Sequence, residues 1–134
     1  MMFSKIRAVH IAVKNLEEAT KDFSENFNLE VSRTGTMPET GINNAFLPVG
    51  DAVIELIQPI DPEQGPVAKF IKNRGEGVYM MAMEVDNLDK AVEILKEKGV
   101  RLLDAEPEVR AKGGPVFIHP KWTHGLLIEL VEKA

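Results

Sequence analysis

Two stretches of this chain repeat at a nearly fixed spacing, and no other feature restricts its fold so strongly. Ala12–Phe23 (AVKNLEEATKDF) aligns with Glu84–Leu95 (EVDNLDKAVEIL), so that Val13, Asn15, Leu16, Ala19 and Phe23 meet Val85, Asn87, Leu88, Ala91 and Leu95 at an offset of 72. Farther on, Ala45–Ile57 (AFLPVGDAVIELI) aligns with Val116–Val131 (VFIHPKWTHGLLIELV), and "IEL" recurs at an offset of 74. A strand followed by an Asn-capped helix is common by itself. Two such matches in the same order mark a duplicated unit.

Each copy predicts a strand, a helix and three further strands. The first strands fall at Arg7–Val13 and Val78–Val85. Asn15 and Asn87 begin the helices, each offering a side-chain oxygen to an orphan backbone N–H. Glu18 stands at the capping-box position after Asn15. Leu88, Ala91, Val92 and Leu95 form one apolar helical face, and Asn28 and Gly99 stand where a left-handed stop is needed. The remaining strands are expected near Leu29–Arg33, Ile42–Leu47 and Ala52–Gln58, and near Val100–Leu103, Pro115–Ile118 and Leu126–Val131. "PVGD" and "HPKWTHG" join the last two of each set, and "AKGGP" (Ala111–Pro115) reads as a glycine turn. The organisation expected is one domain over residues 1–134, with a first βαβββ module at 5–60, a linker with a short helix at 61–77 and a second module at 78–134. The fold class is α+β, the duplicated modules forming a cupped mixed sheet.

Composition narrows the function. Sixteen basic residues against twenty-one acidic give a net charge of −5, which disfavours a nucleic-acid surface. There is no cysteine, hence no thiolate nucleophile, thiolate metal site or disulfide. "MMFSKIRAVHIAV" has no long apolar run of the signal-peptide kind, and no stretch approaches a membrane span. The expectation is a cytoplasmic protein with neither nucleic-acid nor membrane partners.

The motifs "AVKNLEEA", "IELIQPIDP", "VAKFIKNRGEG", "EVDNLDKAVEILKEKGVRLLDAEP" and "HPKWTHGLLIELVE" resemble, in order and over nearly the whole chain, the vicinal oxygen chelate (glyoxalase-like) superfamily, and within it the methylmalonyl-CoA epimerases. The resemblance implies a cupped sheet around a divalent cation, a small acyl or carboxylate-type ligand, an enolate formed by proton transfer, and a homodimer. It also implies metal ligands at matching positions of the two modules. The two histidine positions fall on Ala8 and Met80, while the "IEL" positions keep carboxylates, Glu55 and Glu129. A divalent metal is therefore compatible only with a degenerate site of Glu55, Glu129 and His10, and none is expected to be tightly bound.

Strand alternation places Ala8, His10 and Ala12 on one face of the first strand, with Met80, Ala82 and Glu84 as the matching face in the second copy. Val9, Ile11 and Val13 then face the helices. His10 lies two residues from the family's position, roughly 6.5–7 Å along the strand. Since a metal–nitrogen bond is about 2 Å long, His10 cannot replace a ligand at Ala8 with the ion unmoved. The candidate catalytic residues are Glu129 and Glu55, as base and charge stabiliser, with His10 supporting them. Ala8, Met80, Ala82, Trp122 and Lys121 are the candidate ligand-pocket residues. Three readings stay open: an isomerase or lyase of altered activity, a binding module that kept the fold without the chemistry, or a protein that only resembles lactoylglutathione lyase.

Overall fold

Strand β1 (Phe3–Ala12) begins earlier in the chain than the apolar pattern suggests, and its two ends serve different parts of the molecule. The structure, a computed structural model, describes residues 2–111 and 115–133. It divides into two compact units, one of Ala8–Tyr79 and one of Met1–Arg7 with Met80–Ala134.

In the first unit β1 leads to helix α1 (Leu16–Phe27), strands β2 (Arg33–Met37), β3 (Ile42–Val49) and β4 (Ala52–Pro59), and helix α2 (Pro66–Arg74). The strand order is β2-β3-β4-β1, with β4 parallel to β1 and the other pairs antiparallel. Asn15 caps α1 by accepting from the Glu18 N–H, and Asn28 ends it in the left-handed conformation (φ 57°). Ile11, Val13, Ile54, Leu56 and Leu47 pack against Leu16, Ala19 and Phe23 of α1. On the other face, Ala12, Ile42 and Ile57 pack against Val67, Phe70 and Ile71 of α2. Helix α2 carries Pro66 in its first turn and stops at Gly75, as expected for the linker helix.

The strand expected at Leu29–Arg33 lies later, at Arg33–Met37. The cap of α1 accounts for the shift. Leu29 donates its N–H to Phe23 and accepts from the Ser24 hydroxyl, while its side chain packs on α1. Ser32 is the first of these residues to donate across to β3, at Phe46.

The second unit holds β5 (Gly77–Val85) from Met80 onward, α3 (Leu88–Glu97), β6 (Leu102–Leu103), α4 (Pro107–Ala111), β7 (Val116–Ile118) and β8 (Leu127–Glu132), with strand order β5-β8-β7-β6. Helix α4 was not expected; the glycine turn foreseen at Ala111–Pro115 falls largely outside the described residues. Val85, Ala91, Val92, Leu95, Val116, Ile118 and Leu130 form the core. "HPKWTHG" contains a 3-10 turn at Pro120–Trp122, capped by His119, whose Nδ1 accepts from the Lys121 N–H.

Register within each unit carries the duplication to the level of paired residues. Ala8 faces Val53 and His10 faces Glu55 in one, while Met80 faces Leu127 and Ala82 faces Glu129 in the other. The helix entrances match as well. Gln58 Oε1 accepts from the Leu16 N–H at 2.6 Å, and Glu132 Oε1 accepts from the Leu88 N–H at 2.9 Å. In both units a side chain near the end of the last strand satisfies an orphan donor of the helix. Among the described residues no helix is long and apolar enough to cross a membrane.

Candidate functional site

Glu55 stands near the middle of β4, between the apolar Ile54 and Leu56, and is only 8% exposed. A carboxylate so buried requires partners, because water no longer solvates it. Two are present. Its Oε1 lies 3.5 Å from His10 Nδ1, and its Oε2 accepts from Asn44 Nδ2 at 3.2 Å. His10 and Asn44 are themselves 8% and 3% exposed. The three side chains come from β1, β4 and β3, adjacent strands, and share the sheet face opposite α1.

The register explains why they meet. His10 pairs with Glu55, and Glu55 with Phe46, which pairs with Arg33. One row thus runs Arg33, Phe46, Glu55, His10 across four strands, with the Arg33 guanidinium 3.9 Å from the Phe46 ring centre. The next row runs Gly35, Asn44, Ile57, Ala12. Ala12 and Ile57, with α2, close one end of the face in apolar contact. Burial lowers the His10 imidazole below its ordinary value, while the Glu55 carboxylate acts in the opposite direction. The larger effect is burial, so the imidazole is neutral at pH 7. Its Nδ1 then stands 3.5 Å from the carboxylate as a neutral polar neighbour and does not form a full ion pair.

Of the residues singled out in the sequence, His10 and Glu55 are brought together. Ala8 is half-buried beside them on β1, and offers only a methyl group. In the second unit Met80 is half-buried opposite Leu127, Ala82 is 3% exposed opposite Glu129, and Glu129 is half-buried opposite Phe117 on β7. Met80, Met81 and Met83 are all half-buried rather than fully enclosed. Lys121 is exposed, and Trp122 is 42% exposed with its ring edge-on to His119. Asn44, Phe46 and Arg33 were not singled out. The available signal was "INNAFL", where alternation puts Asn44 between Ile42 and Phe46 on the face of a buried strand.

Among the described residues, no group of three or more His, Asp or Glu side chains stands close enough to hold a metal ion. In the first unit His10 and Glu55 supply two donors that face each other, and Ala8 beside them supplies only a methyl group. Hard divalent cations are held by oxygen and imidazole donors, and this set does not fit one. The chemistry considered below is therefore that of the side chains themselves.

A family model of the Glyoxalase/Bleomycin resistance protein/Dioxygenase superfamily matches residues 8–117. The mitochondrial methylmalonyl-CoA epimerase of Homo sapiens is 37% identical over 128 residues, covering 94% of this chain and 72% of that protein. The crystal structure of methylmalonyl-CoA epimerase from Mycobacterium tuberculosis is similar with a TM-score of 0.83 at 31% identity, over 99% of this chain and 90% of that one. A variant of the Streptomyces coelicolor methylmalonyl-CoA epimerase in complex with 2-nitronate-propionyl-CoA is similar with a TM-score of 0.82 at 30% identity, over 98% of this chain and 99% of that one.

Proposed function

This chain belongs to the glyoxalase/bleomycin resistance protein/dioxygenase superfamily, and on that premise we propose that it binds a small acyl ligand of the acyl-thioester class and moves a proton on the carbon beside its carbonyl. Glu55 is the base. It takes the α-proton, the electron pair of the C–H bond passes into the carbonyl, and an enolate results. A proton given to the opposite face by a second acid, the role proposed for Glu129, gives the epimer and leaves Glu55 protonated for exchange with solvent. His10, neutral and with its Nδ1 3.5 Å from the carboxylate, flanks it without cancelling its charge. Glu129, the register counterpart of Glu55 and the base of the pair in the sequence reading, is assigned the reverse role of acid, its carboxyl proton offsetting the negative charge of the enolate. Ala8, Met80 and Ala82 are assigned to the ligand's apolar part, and Lys121 and Trp122 to its outer part. The protein acts as a homodimer, which equilibrium sedimentation would test.

The observation that carries this reading is the buried Glu55 carboxylate, set beside two polar partners in a strand that is apolar apart from it and Gln58. Solvent-derived deuterium entering C2 of methylmalonyl-CoA, followed by NMR, tests it. The reading expects exchange well above the uncatalysed rate. A second reading, binding without turnover, is favoured by the methyl and thioether groups at Ala8 and Met80. Saturable binding by calorimetry with no deuterium entry would establish the second and reject the first.

A further inference from the structure

Asn44 is an expensive residue at its position. Its Nδ2 donates to Glu55, but its Oδ1 is buried and has no hydrogen-bond partner among the described residues. Flipping the amide would not help, since it would aim oxygen at a carboxylate. The orientation is fixed by Glu55, and the orphaned oxygen follows from it.

That oxygen lies against Gly35, which pairs with Asn44 across β2 and β3. A Cβ on Gly35 would stand 2.9 Å from Asn44 Oδ1, closer than real Cβ atoms come to such a neighbour. The backbone of Gly35 is outside the left-handed region, so its conformation does not call for glycine. Glycine also weakens a strand. What it provides here is space, together with a Cα hydrogen in the direction a side chain would take. Such hydrogens make weak C–H···O contacts between neighbouring strands.

We propose that Asn44 is a positioning residue for Glu55, and that Gly35 is the seat that allows the amide to hold the carboxylate. The chain accepts one unsatisfied oxygen so that Glu55 presents a fixed carboxylate toward the ligand. This deepens the proposed function, since it rests on Glu55 being the base, but its first two readouts need no turnover.

The parent, Gly35→Ala, Asn44→Ala, the double variant and Glu55→Gln are compared. The Asn44 side-chain amide protons, identified as the ¹⁵N–¹H pair absent from Asn44→Ala, should exchange slowly with solvent. They should shift both in Gly35→Ala and in Glu55→Gln. In urea unfolding, Gly35→Ala should lower the folding equilibrium constant by about fivefold or more when Asn44 is present, with most of that loss disappearing in the Asn44→Ala background. Where the parent exchanges the C2 proton, Asn44→Ala should lower kcat by about tenfold or more, with KM little changed. Equal Gly35→Ala losses in both backgrounds would overturn the seat. Amide signals indifferent to Glu55→Gln, or a KM effect without a kcat effect, would overturn the positioning role. If the parent exchanges no proton, the base assignment fails, while the amide signals and the unfolding cycle still decide between Asn44 and Gly35 as a pair and as independent residues.

Discussion

Replacing Glu55 by leucine should destabilise the protein, yet replacing all three polar members of the cluster should restore most of the loss. In Glu55→Leu the Nδ1 of His10 and the Nδ2 of Asn44 both lose the acceptor they face. Each buried group left unsatisfied costs about 1–3 kcal/mol, or about 2–6 kcal/mol for the pair. Removal of the carboxylate from a site only 8% exposed works the other way, as does about 1.5–3 kcal/mol from the buried leucine. The net expectation is a loss of about 1–3 kcal/mol. In the triple variant His10→Leu, Asn44→Leu, Glu55→Leu no donor is stranded and the orphaned Asn44 oxygen is gone. Buried polar clusters exchanged wholesale for apolar groups of similar volume are often neutral or better. Urea unfolding with unchanged m-values should find the triple variant more stable than Glu55→Leu by about 1 kcal/mol or more. A triple variant no more stable than the single one would refute the view that the cluster is kept at a cost in stability.

Other expectations follow from particular contacts. Gln58→Leu and Glu132→Leu should each cost about 0.5–1.5 kcal/mol, measured by chemical unfolding, because each strips an acceptor from a helix entrance. Lowering the pH should reduce stability in a way that His10→Gln suppresses. The folded imidazole lies below its ordinary value of 6.5, so the unfolded chain binds the extra proton first. Stability is therefore intact above that value and falls as pH drops from it toward the lower folded value, which unfolding at a series of pH values would record. Purified without added metal, the protein should carry no tightly held zinc, cobalt or nickel. Stoichiometric transition metal surviving a chelator wash would refute the reading of Ala8 and Met80 as lost ligand positions.

The duplication was legible because it rests on local signals. Asn15 and Asn87 cap helices, and the offsets of 72 and 74 return as the pairs His10–Glu55 and Ala82–Glu129. The early placement of β2 came from reading Leu29 and Val31 as strand residues, whereas the Asn28 cap draws the backbone of Leu29 into the end of α1. Helix α4 lacks the length that would have made its periodicity visible. Within the site, alternation along β1 was enough to aim His10 at the face of Glu55. Asn44 and Gly35 were hidden for another reason. Their significance lies in the lateral register of β2, β3 and β4, which alternation along any one strand does not specify.

The most direct measurement is the rate at which the parent and Glu55→Gln exchange the C2 proton of methylmalonyl-CoA with solvent, with folding of both checked by circular dichroism. A carboxylate acting as general base contributes about 10²–10⁴-fold, so the folded variant should lose at least about a hundredfold in rate. Exchange by the parent that persists undiminished in Glu55→Gln would contradict the account, because the buried carboxylate would then play no part in moving the proton.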